Sequence, residues 1–163
     1  MAKNKEEKTN VMRVLEQKKI AYTPYSYPHE EGIAVDGVTV AQSMGFDPAI
    51  VFKTLVARGA SKQYYVFDVP VAENLDLKKA AKAVGEKSIE MIHQKELLPL
   101  TGYVHGGCSP VGMKKLFPTV FHSSAENLAA MIVSAGKIGY QVELAPHDLA
   151  ALVRAKFADI IVE

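Results

Sequence analysis

A lysine and a threonine interrupt an apolar run that otherwise predicts a buried β-strand. Residues 50–56 read Ile-Val-Phe-Lys-Thr-Leu-Val, without the apolar/polar alternation of a half-exposed strand. An unpaired ammonium is costly to desolvate, so Lys53 is expected either to reach water along its stem or to meet an anion in a polar pocket. Two interpretations stay open: an edge strand whose lysine discourages strand addition, or an anion-binding site with Thr54 beside the lysine.

A second stretch that could do chemistry is rich in glycine. Residues 102–110 read Gly-Tyr-Val-His-Gly-Gly-Cys-Ser-Pro, with Gly106 and Gly107 adjacent and Pro110 at the end. Such a segment can offer backbone N–H and C=O groups to a ligand with no side chains in the way. A plain turn that only reverses the chain is the alternative.

A third candidate is the glycine-flanked lysine in residues 134–139, Ser-Ala-Gly-Lys-Ile-Gly. It superficially resembles a phosphate loop, but Met131 stands where the first glycine is required and Ile138 where Ser or Thr should hold magnesium. A Walker nucleotide site is therefore excluded. A hairpin turn with Lys137 in solvent and an anion-contacting loop both remain possible.

The single cysteine offers only a weak case for a nucleophile. His105 precedes Cys108 by three residues, but the sequence supplies no third group that would orient such a pair. Lone cysteines are more often small buried hydrophobes, which is the prediction here. The other four histidines show no ligand spacing with this pair, so neither a metal nor a cofactor is predicted.

The elements that must position these residues form a mixed order of helices and strands. Helical spacing, caps and proline positions predict five helices, at residues 11–19, 39–44, 77–84, 94–98 and 146–154, with Pro99 ending the fourth. Strands are predicted at 21–27, 50–56, 63–69, 88–91, 119–121, 131–134 and 140–144 and near Tyr103, with 50–56 and 63–69 pairing as an antiparallel hairpin. Without a steady strand-helix alternation, the prediction is an α+β fold with a mixed sheet.

Length and composition indicate one globular domain. The 163 residues are 48% hydrophobic and 23% charged, which is ordinary for a folded soluble protein. We expect a flexible N-terminal tail at residues 1–10 and a single domain at 11–163. The start has no apolar signal region and no stretch is long enough to cross a bilayer, so no membrane role is predicted. One cysteine indicates a reducing compartment, most simply the cytoplasm.

The charge balance limits how the protein could bind a nucleic acid. Nineteen basic and 18 acidic residues give a formal net charge of +1. Proteins that bind nucleic acid unaided usually carry a marked basic excess, since phosphate neutralisation supplies most of their affinity. If this chain acts on RNA, we expect weak intrinsic affinity and either a local basic patch or a helper protein.

Taken together, five segments resemble the YbaK family, the free-standing relatives of the prolyl-tRNA synthetase editing domain. They are VFKTL at 51–55, NLDLKK at 74–79, TGY at 101–103, GGCSPVG at 106–112 and VSAGK at 133–137. The similarity keeps the same order from about residue 11 to residue 160, and it is strongest to the Cys-tRNA(Pro) deacylase branch. It implies an α+β fold with a mixed, partly barrel-like sheet flanked by helices, and a pocket for the aminoacylated 3′ end of tRNA.

The resemblance also implies roles for individual residues. Lys53 matches the family's key lysine, which would anchor phosphate or ribose oxygen of the terminal adenosine, with Thr54 in support. The family's G-x-x-x-P loop corresponds to residues 106–110, so Gly106 and Gly107 would act in catalysis through their backbone. The remaining residues are implied to bind substrate: Tyr27, Ser109, Pro110, Ser134 and Lys137.

The implied reaction is trans-editing, the hydrolysis of the ester in mischarged aminoacyl-tRNA. The substrate would most simply be Cys-tRNA(Pro), with Cys-tRNA(Cys) a second one, and the substrate's own thiol would attack its ester carbonyl. Such cleavage needs positioning more than a protein nucleophile. Prolyl-tRNA synthetase is the partner that the resemblance implies. A deacylase for alanine or serine, and a non-catalytic module for a nucleotide or aminoacyl ligand, are the alternatives.

Two residues depart from the family's pattern. Gln141 stands where the deacylase branch is expected to carry an aspartate, which removes a charge from the pocket rim. Cys108 lies inside the G-x-x-x-P loop, where an aliphatic residue is usual. Both substitutions bear on the choice of amino acid.

Overall fold

The computed structural model describes residues 8–30 and 32–163 as an α+β fold. Its helices are α1 (Asn10–Gln17), α2 (Gly37–Met44), α3 (Leu77–Val84), α4 (Gln94–Thr101) and α5 (Pro146–Val153). Its strands are β1 (Thr23–Ser26), β2 (Phe52–Gly59), β3 (Tyr64–Pro70), β4 (Ile89–Met91), β5 (Thr119–His122), β6 (Met131–Ser134), β7 (Tyr140–Leu144) and β8 (Ala155–Ala158). The predicted class is confirmed.

The strands form two sheets rather than one. The larger has the order β4-β2-β3-β5-β8, antiparallel at β4-β2-β3 and parallel at β3-β5-β8, and the smaller is antiparallel with the order β1-β7-β6. An isolated parallel bridge between Val51 and Ile132 links them. Within the described residues the strands do not close into a barrel. Pairing is mixed, as predicted, and the 50–56/63–69 hairpin is present as β2 and β3.

Local signals place the helix ends where physical chemistry favours them. The Asp76 side chain accepts hydrogen bonds from two backbone N–H groups at the start of α3, and Gly85 closes that helix in the left-handed region. At the N-terminus, the Thr9 hydroxyl accepts from the Met12 N–H and caps α1. Of the tail predicted at residues 1–10, residues 1–7 lie outside the described part of the chain, and α1 begins at Asn10.

Two predictions about elements are wrong, and one strand was not predicted. Helix α4 does not end at Pro99 but continues to Thr101. Its last turn is held by two hydrogen bonds: the Thr101 hydroxyl donates to the Leu97 carbonyl, and the Gly102 N–H donates to the Leu98 carbonyl. Tyr103 lies in a loop, where its hydroxyl donates to the Val111 carbonyl at 2.5 Å. Strand β8 was not predicted; it follows α5 directly and pairs in parallel with β5.

The core lies on both faces of the larger sheet. On one face, α1, α5, the loop at 103–111 and the smaller sheet enclose the largest apolar cluster, with Leu15, Phe121, Met131 and Leu149 almost fully buried. On the other, α3 packs on β3 around Phe67. No helix in the described residues is long and apolar enough to span a membrane.

Candidate active site

A cleft of about 510 Å³ lies where the two sheets meet. Its walls come from the beginning of β2, the start of α2 with the loop before it, the loop around Gly106, and the facing ends of β6 and β7. Beside the cleft, β2 has a ladder partner on one side only, since β4 pairs with residues 57–59 and not with 52–55. Five of the predicted site residues line it: Tyr27, Lys53, Thr54, Gly106 and Ser134.

Lys53 is half-buried in this cleft. Among residues 8–30 and 32–163, no carboxylate lies within ion-pair distance of its ammonium; Asp36 and Glu73 act on it only from farther away. Partial burial lowers the pKa of Lys53, and these two carboxylates offset part of that shift. An ammonium without a close counter-ion in a concave site is well placed to attract a substrate phosphate or oxygen. Strand β2 lies between β4 and β3 in the sheet and is therefore not an edge strand, although β4 does not extend along residues 52–55. Anion binding by Lys53 and Thr54 stays a prediction.

Thr54 connects the cleft to a fully buried carboxylate. It faces Asp68 across the β2-β3 ladder, and its hydroxyl donates to Asp68 Oδ1 at 2.5 Å. Asp68 is 0% exposed, and its Oδ2 has no hydrogen-bond partner among the described residues. Burial raises the pKa of Asp68 to about 7, and the bond from Thr54 opposes that rise. A carboxyl that changes protonation near neutrality thus lies one hydrogen bond from the cleft.

The glycine loop forms the opposite wall with its backbone. Gly106 has a φ of +88°, and a Cβ built there would lie 2.6 Å from the Cβ of Ala34. A Cβ on Gly107 would lie 2.9 Å from the backbone nitrogen of Ile138. Glycine is therefore required at both positions, so that the loop can pack against the segments at residues 34 and 137–138. Gly107 itself is not among the residues that line the cleft.

The Cys108 thiol lines the cleft but is not activated. It is buried, and desolvation, with a smaller contribution from the nearby Asp68 carboxylate, raises its pKa to about 12. A thiol with so high a pKa stays protonated at neutral pH and is a poor nucleophile. In the described part of the chain no group of three His, Cys, Asp or Glu side chains could hold a metal ion.

The other predicted site residues occupy different positions. Ser109 is fully buried, where its hydroxyl accepts from the Val111 N–H at 3.2 Å, and Pro110 lines a separate cavity of about 160 Å³. Ser134 ends β6, and its hydroxyl accepts from the Gly136 N–H. Lys137 is exposed, with its ammonium 5.5 Å from the ring centre of Tyr140. The functional roles of these residues remain predictions.

Tyr27 and Gln141 complete the wall on the side of the smaller sheet. Tyr27 follows β1, is 8% exposed, and donates its backbone N–H to the Gly139 carbonyl. Gln141 lies on the central strand β7, paired with Ser134 on β6 and Tyr25 on β1. Its side-chain oxygen is buried and, among the described residues, without a hydrogen-bond partner. Of the residues that line the cleft, sequence reasoning also left His105 and Asp36 without a role.

Sequence reasoning missed Asp68, the buried carboxylate that accepts a hydrogen bond from the cleft-lining Thr54. It occupies a strand position flanked by Phe67 and Val69, where an aspartate has no partner within its own segment. The signal was present, since an acidic residue in the middle of a predicted buried strand violates the pattern as strongly as Lys53 does. The contact of this carboxylate became visible only from the pairing of β2 with β3, which places Asp68 opposite Thr54, fourteen residues earlier in the chain.

Comparison with known proteins agrees with this geometry. The sequence pattern of the aminoacyl-tRNA editing domain matches residues 34–152, which include every cleft-lining residue except Tyr27. EbsC of Enterococcus faecalis, named for Cys-tRNA(Pro)/Cys-tRNA(Cys) deacylation, is 47% identical over 161 residues, which cover 98% of each chain.

Solved structures share the fold. A crystal structure described as a trans-editing enzyme for prolyl-tRNA synthetase has a TM-score of 0.79 and 25% identity, covering 94% of this chain and 95% of the other. That of the hypothetical protein APE2540 has a TM-score of 0.82 at 18% identity, covering 93% and 99%. The chain therefore belongs to the aminoacyl-tRNA editing domain family, whose members of this kind are hydrolytic aminoacyl-tRNA deacylases.

Proposed function

We propose that the protein hydrolyses Cys-tRNA(Pro) in trans, with the cysteine thiol of the substrate as the nucleophile. The observation that carries this proposal is the composition of the cleft. It holds a half-buried ammonium with no close counter-ion among the described residues, a glycine turn, and a thiol whose pKa of about 12 keeps it protonated. These groups can position an ester, and they leave the nucleophile to the substrate.

The assignment of the substrate is supported by similarity. The 47% identical relative is named for deacylation of Cys-tRNA(Pro) and Cys-tRNA(Cys), and its alignment spans the whole of the site. In the proposed complex, Lys53 contacts phosphate or ribose oxygen of the terminal adenosine, and the backbone around Gly106 and Gly107 contacts the aminoacyl group. Thr54, next to Lys53 on β2, contacts the substrate from the same wall, and Tyr27 and Ser134 contact it from the side of the smaller sheet. Ser109 and Pro110 act by fixing the loop.

Chemical selectivity follows from this mechanism. Attack of the thiol on the ester carbonyl forms a cyclic thioester and breaks the bond to the ribose oxygen. An amino acid without a nucleophilic side chain could bind in the same cleft without reacting. Positioning of two groups in one molecule can supply several kcal/mol of the barrier reduction, on the order of 7 or more in the best cases.

We also propose prolyl-tRNA synthetase as the partner that delivers the tRNA, and the cytoplasm as the place of action. The near-neutral charge supports this, because a formal net charge of +1 provides little attraction for the tRNA backbone. One solved relative is described as a trans-editing enzyme for that synthetase. Lys137, exposed beside the cleft, is proposed to add a local contact to phosphate.

The test is hydrolysis of Cys-tRNA(Pro) and Ala-tRNA(Pro) by the wild type and by Lys53→Ala, with the spontaneous rate subtracted. The proposal predicts turnover of the cysteinyl ester alone, and its loss in the variant. Equal turnover of both esters would indicate a deacylase that activates water. Binding of the tRNA without turnover of either ester would indicate a non-catalytic module.

A further inference from the structure

The Asp68 carboxylate is a costly group that neither the fold nor the mechanism above explains. It lies in the middle of the larger sheet, with β2 on one side and Phe121 of β5 on the other. Its Oδ1 accepts the bond from the Thr54 hydroxyl, its Oδ2 has no hydrogen-bond partner among the described residues, and the Cys108 thiol lies near it. An apolar side chain at this position would avoid the desolvation cost, so a structural role does not account for the residue. Buried carboxyls of this kind beside a cleft are candidates for function.

The geometry sets what Thr54 can offer a ligand. Because its hydroxyl proton points to Asp68 Oδ1, the lone pairs of Thr54 Oγ1 are free to accept a proton donor in the cleft. Removing the carboxylate, or the hydroxyl, would break this arrangement without touching Lys53, which lies on the other face of β2. Asp68 is not itself among the residues that line the cleft, so any effect on a substrate passes through Thr54.

We infer that Asp68 is a positioning residue that acts through Thr54 to take the proton of the substrate thiol. The inference rests on the proposed function. As the S–H bond breaks, its proton moves to Thr54 Oγ1, and the original Thr54 proton moves to Asp68 Oδ1, which leaves a thiolate and a neutral carboxylic acid. When the ester bond breaks, the same path returns one proton to the departing ribose oxygen, and Asp68 is again ionised. No other reactant is consumed before water opens the cyclic thioester.

The electrostatics of the site suit this transfer. With a pKa of about 7, Asp68 is ionised at slightly alkaline pH and still basic enough to accept a proton from a thiol of ordinary pKa, about 8.5. Of the titratable groups, the Cys108 thiol lies near this carboxylate, which helps to raise the pKa of the thiol, and that thiol stays neutral. The charges that act on Lys53 are those of Asp36 and Glu73, not that of Asp68.

The test is single-turnover deacylation of Cys-tRNA(Pro) between pH 6 and 9 by wild type, Asp68→Asn, Thr54→Val and Thr54→Ser. Wild-type activity should fall as the pH drops through about 7, where Asp68 becomes protonated. Asp68→Asn and Thr54→Val should each lower the deacylation rate about 100-fold, and their rates should no longer fall as the pH drops through about 7. Thr54→Ser keeps a hydroxyl and should retain most of the rate. The double variant should lose no more than either single one, since both break the same path.

A matched control is Thr119→Val, which removes another buried hydroxyl of the same sheet, bonded to the Phe117 carbonyl at 2.9 Å and away from the cleft. It should keep the wild-type rate and pH profile. A wild-type rate and pH limb in Asp68→Asn would overturn the inference while leaving the proposed function intact. Wild-type protein without cysteine-selective turnover would instead overturn the proposed function, and this inference with it.

Discussion

The two walls of the cleft are built in different ways. The β2 wall places the side chains of Lys53 and Thr54 on a strand that is hydrogen-bonded along its whole length to β3. The loop wall offers backbone at Gly106, with glycines that the packing of neighbouring segments requires. Substitutions in the β2 wall should therefore lower activity while leaving the stability of the fold largely unchanged. In the second, stability and activity should be lost together.

The largest expected effect is that of Lys53→Met, which keeps much of the side-chain shape and removes the charge. We expect activity on Cys-tRNA(Pro) to fall by at least 100-fold, because Lys53 is the only lysine among the described residues that line the cleft and is proposed to contact phosphate or ribose oxygen of the terminal adenosine. The melting temperature should stay the same or rise, since partial burial disfavours the charged form. The deacylation rate and the melting temperature should be measured on the same preparations of wild type and variant. A parallel loss of folding and activity would mean that the lysine is structural.

In the loop wall, Gly106→Ala should lower both the stability of the protein and its deacylation rate. The new Cβ would collide with Ala34 and the backbone would be held at a φ of +88°, so we expect a stability loss of about 1–3 kcal/mol and a roughly 10- to 100-fold loss of rate. Gly85→Ala is the matched control, with a φ of +75° and open space around the new atom. It should cost about 1 kcal/mol and leave the rate unchanged. Full activity in Gly106→Ala would remove the difference between the walls.

Asp68 should make stability depend on pH. Its folded-state pKa of about 7 lies above the value of about 3.9 in an unfolded chain, so the folded protein binds more protons between these values. The free energy of unfolding therefore falls as the pH rises from about 4 to about 7. Asp68→Asn should remove this fall and be more stable than wild type, on the order of a few kcal/mol at pH 8 and much less at pH 4. Urea unfolding at several pH values measures the difference, and a constant difference would contradict the assigned burial.

The smallest effect is expected for Cys108→Ala. The protonated thiol contributes packing but no nucleophile, so the rate should stay within about threefold of wild type, while the small cavity should cost roughly 1 kcal/mol of stability. The same deacylation assay decides. A loss of 100-fold or more, about 2.7 kcal/mol of barrier, would indicate that this thiol takes part in the reaction.

Local signals predicted most of the fold. The cap at Asp76 and the glycine at Gly85 fixed the ends of α3, and the strand bounds 131–134 and 140–144 agree with β6 and β7. The elements that were predicted wrongly or missed depend on contacts that a short stretch of sequence does not reveal. Helix α4 passes Pro99 because the Thr101 hydroxyl bonds the Leu97 carbonyl, and β8 exists because β5 offers a parallel edge.

The candidate site was predictable in part for the same reason. Lys53 stood out because it is a charged residue in an apolar strand. Gly106 stood out because it is one of two adjacent glycines in a short segment that ends with a proline. The link between Thr54 and Asp68 could not be found in this way, because it depends on the register of β2 against β3. The deep burial of Ser109 likewise depends on packing across the whole domain.

The most direct test of the account compares Cys-tRNA(Pro) with Ser-tRNA(Pro) in single-turnover hydrolysis by the wild-type protein. The two esters differ in one atom, and the hydroxyl is a far weaker nucleophile than the thiol at neutral pH. Attack by the substrate thiol predicts fast release of cysteine and release of serine close to the spontaneous rate. Comparable rates for both esters would contradict it, because the nucleophile would then have to be water or a group of the protein.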